Sequence, residues 1–227
     1  MDLNCDRLRE FQKFVEKDLT PGVDELASLS EGNRKHVQKL VYTNLVDRFD
    51  YAVDKFLLDN CKNEELLEIA LRADNNPVTE RDLIELLLKG DGLQDALQQK
   101  VMEKLRISAL RQRHSQKLQT LLSLCNQIGD FKKRPRVNIS SGDIVDTFKI
   151  HNKKIPHAIS GYADWLYSRR NAIVHGAGSS SYLNNDRKMI KKHFGVEVTK
   201  TFKISISSIR NASNFYLQLC GIIYQSS

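Results

Sequence analysis

Cysteine is scarce and scattered. The 227-residue chain holds four, Cys5, Cys61, Cys125 and Cys220, and no two are close enough to form a Cys-x-x-Cys unit. A zinc knuckle, a dithiol redox motif and a disulfide framework therefore have no support. Isolated cysteines on helical sequence read as small buried hydrophobes, in keeping with a reducing, cytoplasmic compartment. A long apolar run is also missing. The best stretch, Tyr216 to Tyr224, is far shorter than the roughly 20 residues that cross a bilayer. The first residues, Met1-Asp2-Leu3-Asn4-Cys5-Asp6-Arg7, carry charge where an export signal needs an apolar core, so no membrane partner is expected. The sequence also lacks Gly-x-x-x-x-Gly-Lys-Ser/Thr, Gly-x-Gly-x-x-Gly, Gly-x-Ser-x-Gly and His-Glu-x-x-His. That removes the common nucleotide-binding, hydrolase and zinc-peptidase signatures.

Acidic residues are the most informative shortage. Residues 101–227 hold 7 Asp+Glu against 21 Lys+Arg, a net of +14, whereas residues 1–100 hold 21 against 14, a net of −7. So basic a half expects an anion, and nucleic acid is the commonest large one. The alternative is that the two halves neutralise each other inside one fold. With few carboxylates beside the basic surface, no cluster is available to hold magnesium. Any phosphodiester chemistry is expected to run without a metal, and no cofactor is implied.

What the chain has is apolar periodicity near 3.6 with little strict alternation. The pattern predicts an all-α helical bundle in a single domain over residues 1–227. One short β-hairpin fits near 196–206, where Val196, Val198, Phe202, Ile204 and Ile206 alternate. A first helix is expected over Asp6 to Leu19, ended by Thr20-Pro21-Gly22. A long one runs from Gly32 to Asn60. Its stripe of Val37, Leu40, Val41, Leu45, Phe49, Val53, Phe56 and Leu57 marks it as the core helix of the bundle. Shorter helices fit Glu64 to Ala73 and Thr79 to Lys89, the second behind a capping Thr79. A helical region follows from Leu93 to Gln127, and Asp130 to Gly142 reads as a basic loop containing Phe131-Lys132-Lys133-Arg134-Pro135-Arg136. A short helix is expected after Ser141-Gly142-Asp143. Pro156 opens the next, which stops at His175-Gly176, and Asp186 to Phe194 and Ile209 to Tyr224 complete the series.

Among the six histidines, His175 stands apart because it closes the run Ser168-Arg169-Arg170-Asn171-Ala172-Ile173-Val174-His175-Gly176. Metal-free RNA cleavage needs a base for the 2′-hydroxyl proton and a cation for the pentacovalent phosphate. Histidine titrates near neutral pH, and arginine offers a rigid fork of donors matched to phosphate oxygens. Arg169–His175 and Arg187–His193 show comparable spacing, so spacing alone carries little. Arg170 is set apart by its surroundings. It falls on the helical stripe of Ile159, Tyr162, Leu166 and Ile173, where a charge is costly unless a partner or ligand compensates it. The structural alternatives are a buried ion pair or a side chain whose head reaches water. His175 has its own, as a helix C-terminal residue favoured by the dipole.

Arg170-Asn171-Ala172-Ile173-Val174-His175-Gly176 resembles the Arg-polar-x-x-x-His signature of the HEPN superfamily of small all-helical ribonucleases. The polar Asn171 directly after the arginine, the apolar residues before the histidine and the glycine after it all match. The wider layout is similar too, with a long apolar helix upstream and a Gly/Ser loop and closing helix downstream. The resemblance implies that Arg170 contacts the scissile phosphate, that His175 acts as base or acid, and that Asn171 positions one of them or the phosphate. It also implies a homodimer with a shared active site, a helical insertion near 63–93, and kinship with stand-alone toxin and antiphage domains. On an ideal helix Arg170 and His175 are five residues and about 140° apart. A twofold pairing whose interface includes residues 159–178 is expected to bring both pairs into one basic cleft and to cover the stripe of Ile159, Leu166 and Ile173. Arg169 and the run Lys132, Lys133, Arg134 and Arg136 are expected to grip RNA phosphates, as are Lys188, Lys191 and Lys192; a solvated basic surface is the alternative for each. Trp165 and Tyr167 either stack on bases or belong to the core.

The expected function is a cytoplasmic, metal-independent endoribonuclease with RNA as its substrate. It would act as a toxin or defence effector, alone or held silent by a cognate antitoxin or defence-system protein. The alternative is a catalytically silent HEPN-like module that dimerises and binds nucleotide or protein.

Overall fold

A computed structural model describes residues 3–72, 79–88, 92–112, 114–124, 136–138, 140–145, 159–175, 184, 187–188, 191 and 203–224. Helix α1 (Asp6–Phe14) buries Leu8 and Phe11. Contrary to the expected stop, the chain does not leave the helix at Thr20-Pro21-Gly22. It widens into a π turn (Val15–Leu19) and continues as α2 (Thr20–Glu25) and a 3₁₀ turn (Leu26–Ser28). A proline lacks an N–H and its ring collides with the carbonyl four residues back. The wide turn restarts the helix so that Pro21 falls in the first turn of α2, where its missing N–H costs least: the Thr20 N–H bonds Val15 O, five residues back, and Thr20 Oγ1 donates to the same carbonyl at 2.8 Å.

Helix α3 (Glu31–Asp59) is the bundle's axis. Tyr42, Leu45, Val46, Phe49, Val53, Phe56 and Leu57 along it are fully buried. Each such side chain contributes roughly 1.5–3 kcal/mol relative to exposure. Leu40, expected in the stripe, is instead 54% exposed, on the rim of a shallow apolar groove between α3 and the α1–α2 segment. Helices α4 (Glu64–Arg72) and α5 (Glu80–Leu88) match their expected spans and both pack on α6 (Leu93–Ser108). The single region expected over Leu93 to Gln127 is broken after Ser108, and α7 begins afresh at His114 (His114–Leu124). Its first turn is capped from outside: Asp164 Oδ1 accepts the Ser115 N–H at 3.1 Å. Helices α8 (Ile159–Val174) and α9 (Ile206–Tyr224) complete the bundle. Tyr42 ties α3 to α8 by donating its buried hydroxyl to Leu166 O at 3.0 Å. Phe49 stacks on Tyr216 of α9 at 4.0 Å, and Phe11 meets both rings edge-on.

The architecture is all-α, with one two-residue antiparallel bridge. Arg136 pairs with Val145 and Val137 with Ile144, giving β1 (Arg136–Val137) and β2 (Ile144–Val145). Ile144 and Val145 are thus extended, not the start of the helix expected after Asp143. The turn between the strands is seated on α9. Asn214 Nδ2 donates to Ser141 O and Asp143 Oδ1, Gln218 Nε2 donates to Asp143 Oδ1, and Gln218 Oε1 accepts the Ile144 N–H at 2.7 Å. Gly142 makes this approach possible. Its φ is +78°, and a Cβ there would lie 1.9 Å from Asn211 O. Gly142→Ala is expected to lose at least about 2 kcal/mol from strain and clash, read as a lowered urea midpoint. An unchanged midpoint would show that the turn is not seated on α9 in solution.

The hairpin expected near 196–206 falls mostly outside the described residues, and within them Lys203–Ser205 are irregular and Ile206 already begins α9. Cys5, Cys61 and Cys220 are buried free thiols, and burial pushes the Cys220 thiol up to about 12. Cys125 lies outside the described residues. Among the described residues, no helix is long and apolar enough to cross a membrane.

Candidate active site

Helix α8 presents two adjacent arginines, about 100° apart on its wheel, to two different neighbours. Arg169 turns toward the start of α9. Its Nη2 donates to Lys203 O at 2.8 Å and Ser208 Oγ at 3.3 Å, and its guanidinium lies over Tyr42 and Trp165, 5.2 and 5.5 Å from the ring centroids. Two protein acceptors and two aromatic faces make Arg169 a fastener between α8, α3 and α9. Trp165 is buried beside it, a core ring and not a free platform.

Arg170 faces α3. Its Nε donates to Asp47 Oδ1 at 2.6 Å, its Nη1 donates to Asn171 Oδ1 at 3.0 Å, and its guanidinium sits 5.8 Å from the centroid of the Tyr167 ring. Asp47 resolves the cost of placing a charge on the apolar stripe. The pair is not sealed, however: the side chains of Arg170 and Asp47 are 20% and 44% exposed. Among the described residues these two bonds engage two of the five guanidinium N–H groups, so part of the fork remains available to a phosphate.

Asn171 connects the two halves of the motif. Its side chain holds Arg170, and its carbonyl accepts the His175 N–H at 2.9 Å, closing the last turn of α8. His175 stands exposed at that end. Five residues along a helix separate the two by about 7.5 Å of rise and about 140° of rotation, so one protomer does not bring them onto one atom. The stripe expected to be covered by a second copy is covered by the chain itself. Ile159, Tyr162 and Leu166 are 4%, 3% and 1% exposed; among the described residues of α8, Val174, 48% exposed, is the large apolar side chain presented outward near His175.

The basic run fares differently. Lys132, Lys133 and Arg134 lie outside the described residues, as does Lys192; Arg136 is in β1, and Lys188 and Lys191 are helical and exposed.

Beside Arg170 lies a group of charges that the sequence reading did not anticipate. Asp50 and Asp54 follow Asp47 at i+3 and i+7 on one face of α3, and α7 brings His114 and Lys117 against them. Lys117 Nζ donates to Asp54 Oδ1 at 2.7 Å and to Asp50 Oδ1 at 3.2 Å. His114 Nδ1 donates to Asp50 Oδ1 at 2.9 Å, and its ring stacks on Tyr167 at 5.1 Å with 8° between the planes. Burial pushes Asp50 up, but the bonds and charges of His114 and Lys117 outweigh it and hold the carboxyl below its usual range. At Asp54 burial prevails over Lys117 and the carboxyl is raised. Burial works against the Lys117 ammonium, yet the two carboxylates raise it above its ordinary value. The signal available in the sequence was Asp47-x-x-Asp50-x-x-x-Asp54, three carboxylates at helical spacing on the helix that carries the main apolar stripe. No group of three or more potential ligands is placed to hold a metal ion among the described residues. No family model, curated protein or solved structure matches the chain.

Proposed function

We propose that this chain is a metal-independent endoribonuclease of HEPN type, with Arg170 and His175 as its catalytic residues. The observation that supports it most is the state of Arg170, a cation fixed by Asp47 and Asn171 yet open to solvent, with an exposed His175 closing the same helix. In this reading a histidine takes the 2′-hydroxyl proton, O2′ attacks phosphorus, the P–O5′ bond breaks, and a second acid protonates O5′. Arginine forks neutralise the phosphorane. One protomer offers one His175. A twofold pairing of two α8 ends would supply both base and acid and would overcome the 140° divergence, with Val174 at the contact. A role as toxin or defence effector, restrained by an antitoxin or defence-system protein, follows from the same resemblance. Growth arrest on expression that Arg170→Ala relieves is its test.

The Asp47 bond also favours a second reading, in which Arg170 is a structural partner and the domain a silent binding module. End-labelled RNA separates the two. Cleavage is expected to persist in EDTA and to leave a 2′,3′-cyclic phosphate and a 5′-hydroxyl, with DNA and 2′-O-methyl RNA resistant. A requirement for magnesium, or intact RNA at micromolar protein, would overturn the assignment.

A further inference from the structure

We infer that Arg170 is aimed from inside the bundle, by a stack that runs from Lys117 through Asp50 and His114 to Tyr167; this rests on the proposed role of Arg170. Each joint is a close contact. Lys117, 5% exposed, bonds Asp50; Asp50 accepts from His114 Nδ1; the His114 imidazole lies nearly parallel on Tyr167; and the Arg170 guanidinium lies over the Tyr167 ring. Asp47 and Asn171 fix two of the guanidinium nitrogens, but two anchored atoms still let the plane tilt about the line that joins them. A ring beneath it restricts that tilt. Tyr167 in turn is only half buried, so its own angle depends on what backs it.

His114 is suited to that task and to little else. Its side chain is 1% exposed, so it meets neither water nor substrate. Nδ1 makes one bond, and Nε2 is buried without a hydrogen-bond partner among the described residues. An imidazole kept for its hydrogen bonds would use both nitrogens. This one uses one nitrogen to set its plane and spends its faces and edges on Tyr167, Phe49 and Tyr216. His114 and Tyr167 are therefore positioning residues: they act on the phosphate through Arg170 and touch no reacting atom.

The position matters because a fork must meet the phosphorane in one orientation. A misplacement of about 1 Å can cost up to about a hundredfold in rate. Removing the stack is thus expected to lower kcat and leave KM nearly unchanged, since a loosened arginine still neutralises bound RNA. Three variants test this: His114→Ala removes the plate, His114→Phe restores a ring without the Asp50 bond, and Tyr167→Leu removes the surface under Arg170 at a half-buried site. Expected are kcat losses of about tenfold in His114→Ala and Tyr167→Leu, with KM within about twofold, and recovery to within about threefold in His114→Phe. Wild-type kcat in a folded Tyr167→Leu would overturn the inference, as would equal losses in both His114 variants. A second readout needs no activity: the Arg170 Nε–H resonance should broaden and exchange faster in Tyr167→Leu than in wild type. An unchanged resonance refutes the stack. Should the wild-type chain fail to cleave RNA, that measurement still decides the positioning while the ribonuclease reading falls.

Discussion

Arg170→Ala and His175→Ala are each expected to lower RNA cleavage by ~100-fold or more while leaving the fold intact. The size follows from the chemistry. Removing the fork exposes a dianionic phosphorane to water alone, and removing the imidazole leaves the 2′-hydroxyl without a base near neutral pH. The survival of the fold follows from the surroundings. His175 is exposed beyond the last turn of α8, and its backbone bond to Asn171 is kept by alanine. Arg170→Ala orphans Asp47, but that carboxylate is 44% exposed and finds water, so the loss in stability should stay near about 1 kcal/mol. Activity and melting temperature are therefore predicted to part company. Arg170→Lys should recover little, because a point charge cannot bond Asp47 and a phosphate in one plane. His193→Ala, in the comparably spaced pair with Arg187, serves as control. Equal loss there, or full activity in His175→Ala, would defeat the residue assignment.

How much of this was legible in the sequence depends on how local each cause is. The ends of α3 were readable to within a residue, because a long stripe at period 3.6 leaves no other solution. Pro21 misled because its usual effect, ending a helix, has an alternative in a π turn held by the Thr20 hydroxyl, and that device has no composition signature. The break between α6 and α7 carries neither glycine nor proline. Its helix restart is capped by Asp164, some fifty residues away in sequence, so no window around Ser115 shows it. The motif itself was visible, as was the oddity of an arginine on an apolar stripe. Asp47 as its partner was not, since pairing α3 with α8 is a tertiary event. The apolar stripe of α8 taught the converse. It looked like an interface because α7 and α3, which pack against α8, cannot be assigned to it from periodicity, nor can Phe215 of α9, whose ring meets Tyr162.

Lys117→Met is expected to destabilise the fold by about 3 kcal/mol at pH 7, an effect that should shrink as pH falls. Methionine keeps the volume, so no large cavity forms; what is lost is the only lysine bonded to Asp50 and Asp54 among the described residues. Breaking a buried ion pair on one side leaves uncompensated charge and costs about 3–5 kcal/mol. The lower end applies here because the two carboxylates are 20% and 28% exposed and keep some water. The pH dependence follows from the directions of the shifts. In the wild type Asp50 sits below its usual range, so its contribution is present above that range and is lost as pH falls through the folded value; Asp54, raised, contributes in the opposite sense. Lys117, raised, contributes until pH climbs through its folded value, far into the alkaline range. Without Lys117 both carboxylates shift upward and protonate sooner, so near about pH 4 the variant no longer carries two buried anions and the gap to wild type should close. Urea unfolding of both proteins at pH 7 and at that acid end gives the comparison. A gap that stays constant would mean that Lys117 acts through packing alone. A gap that widens in acid would show that the carboxylates are stabilised by something other than this lysine, and the buried charge layer behind Arg170 would need a different account.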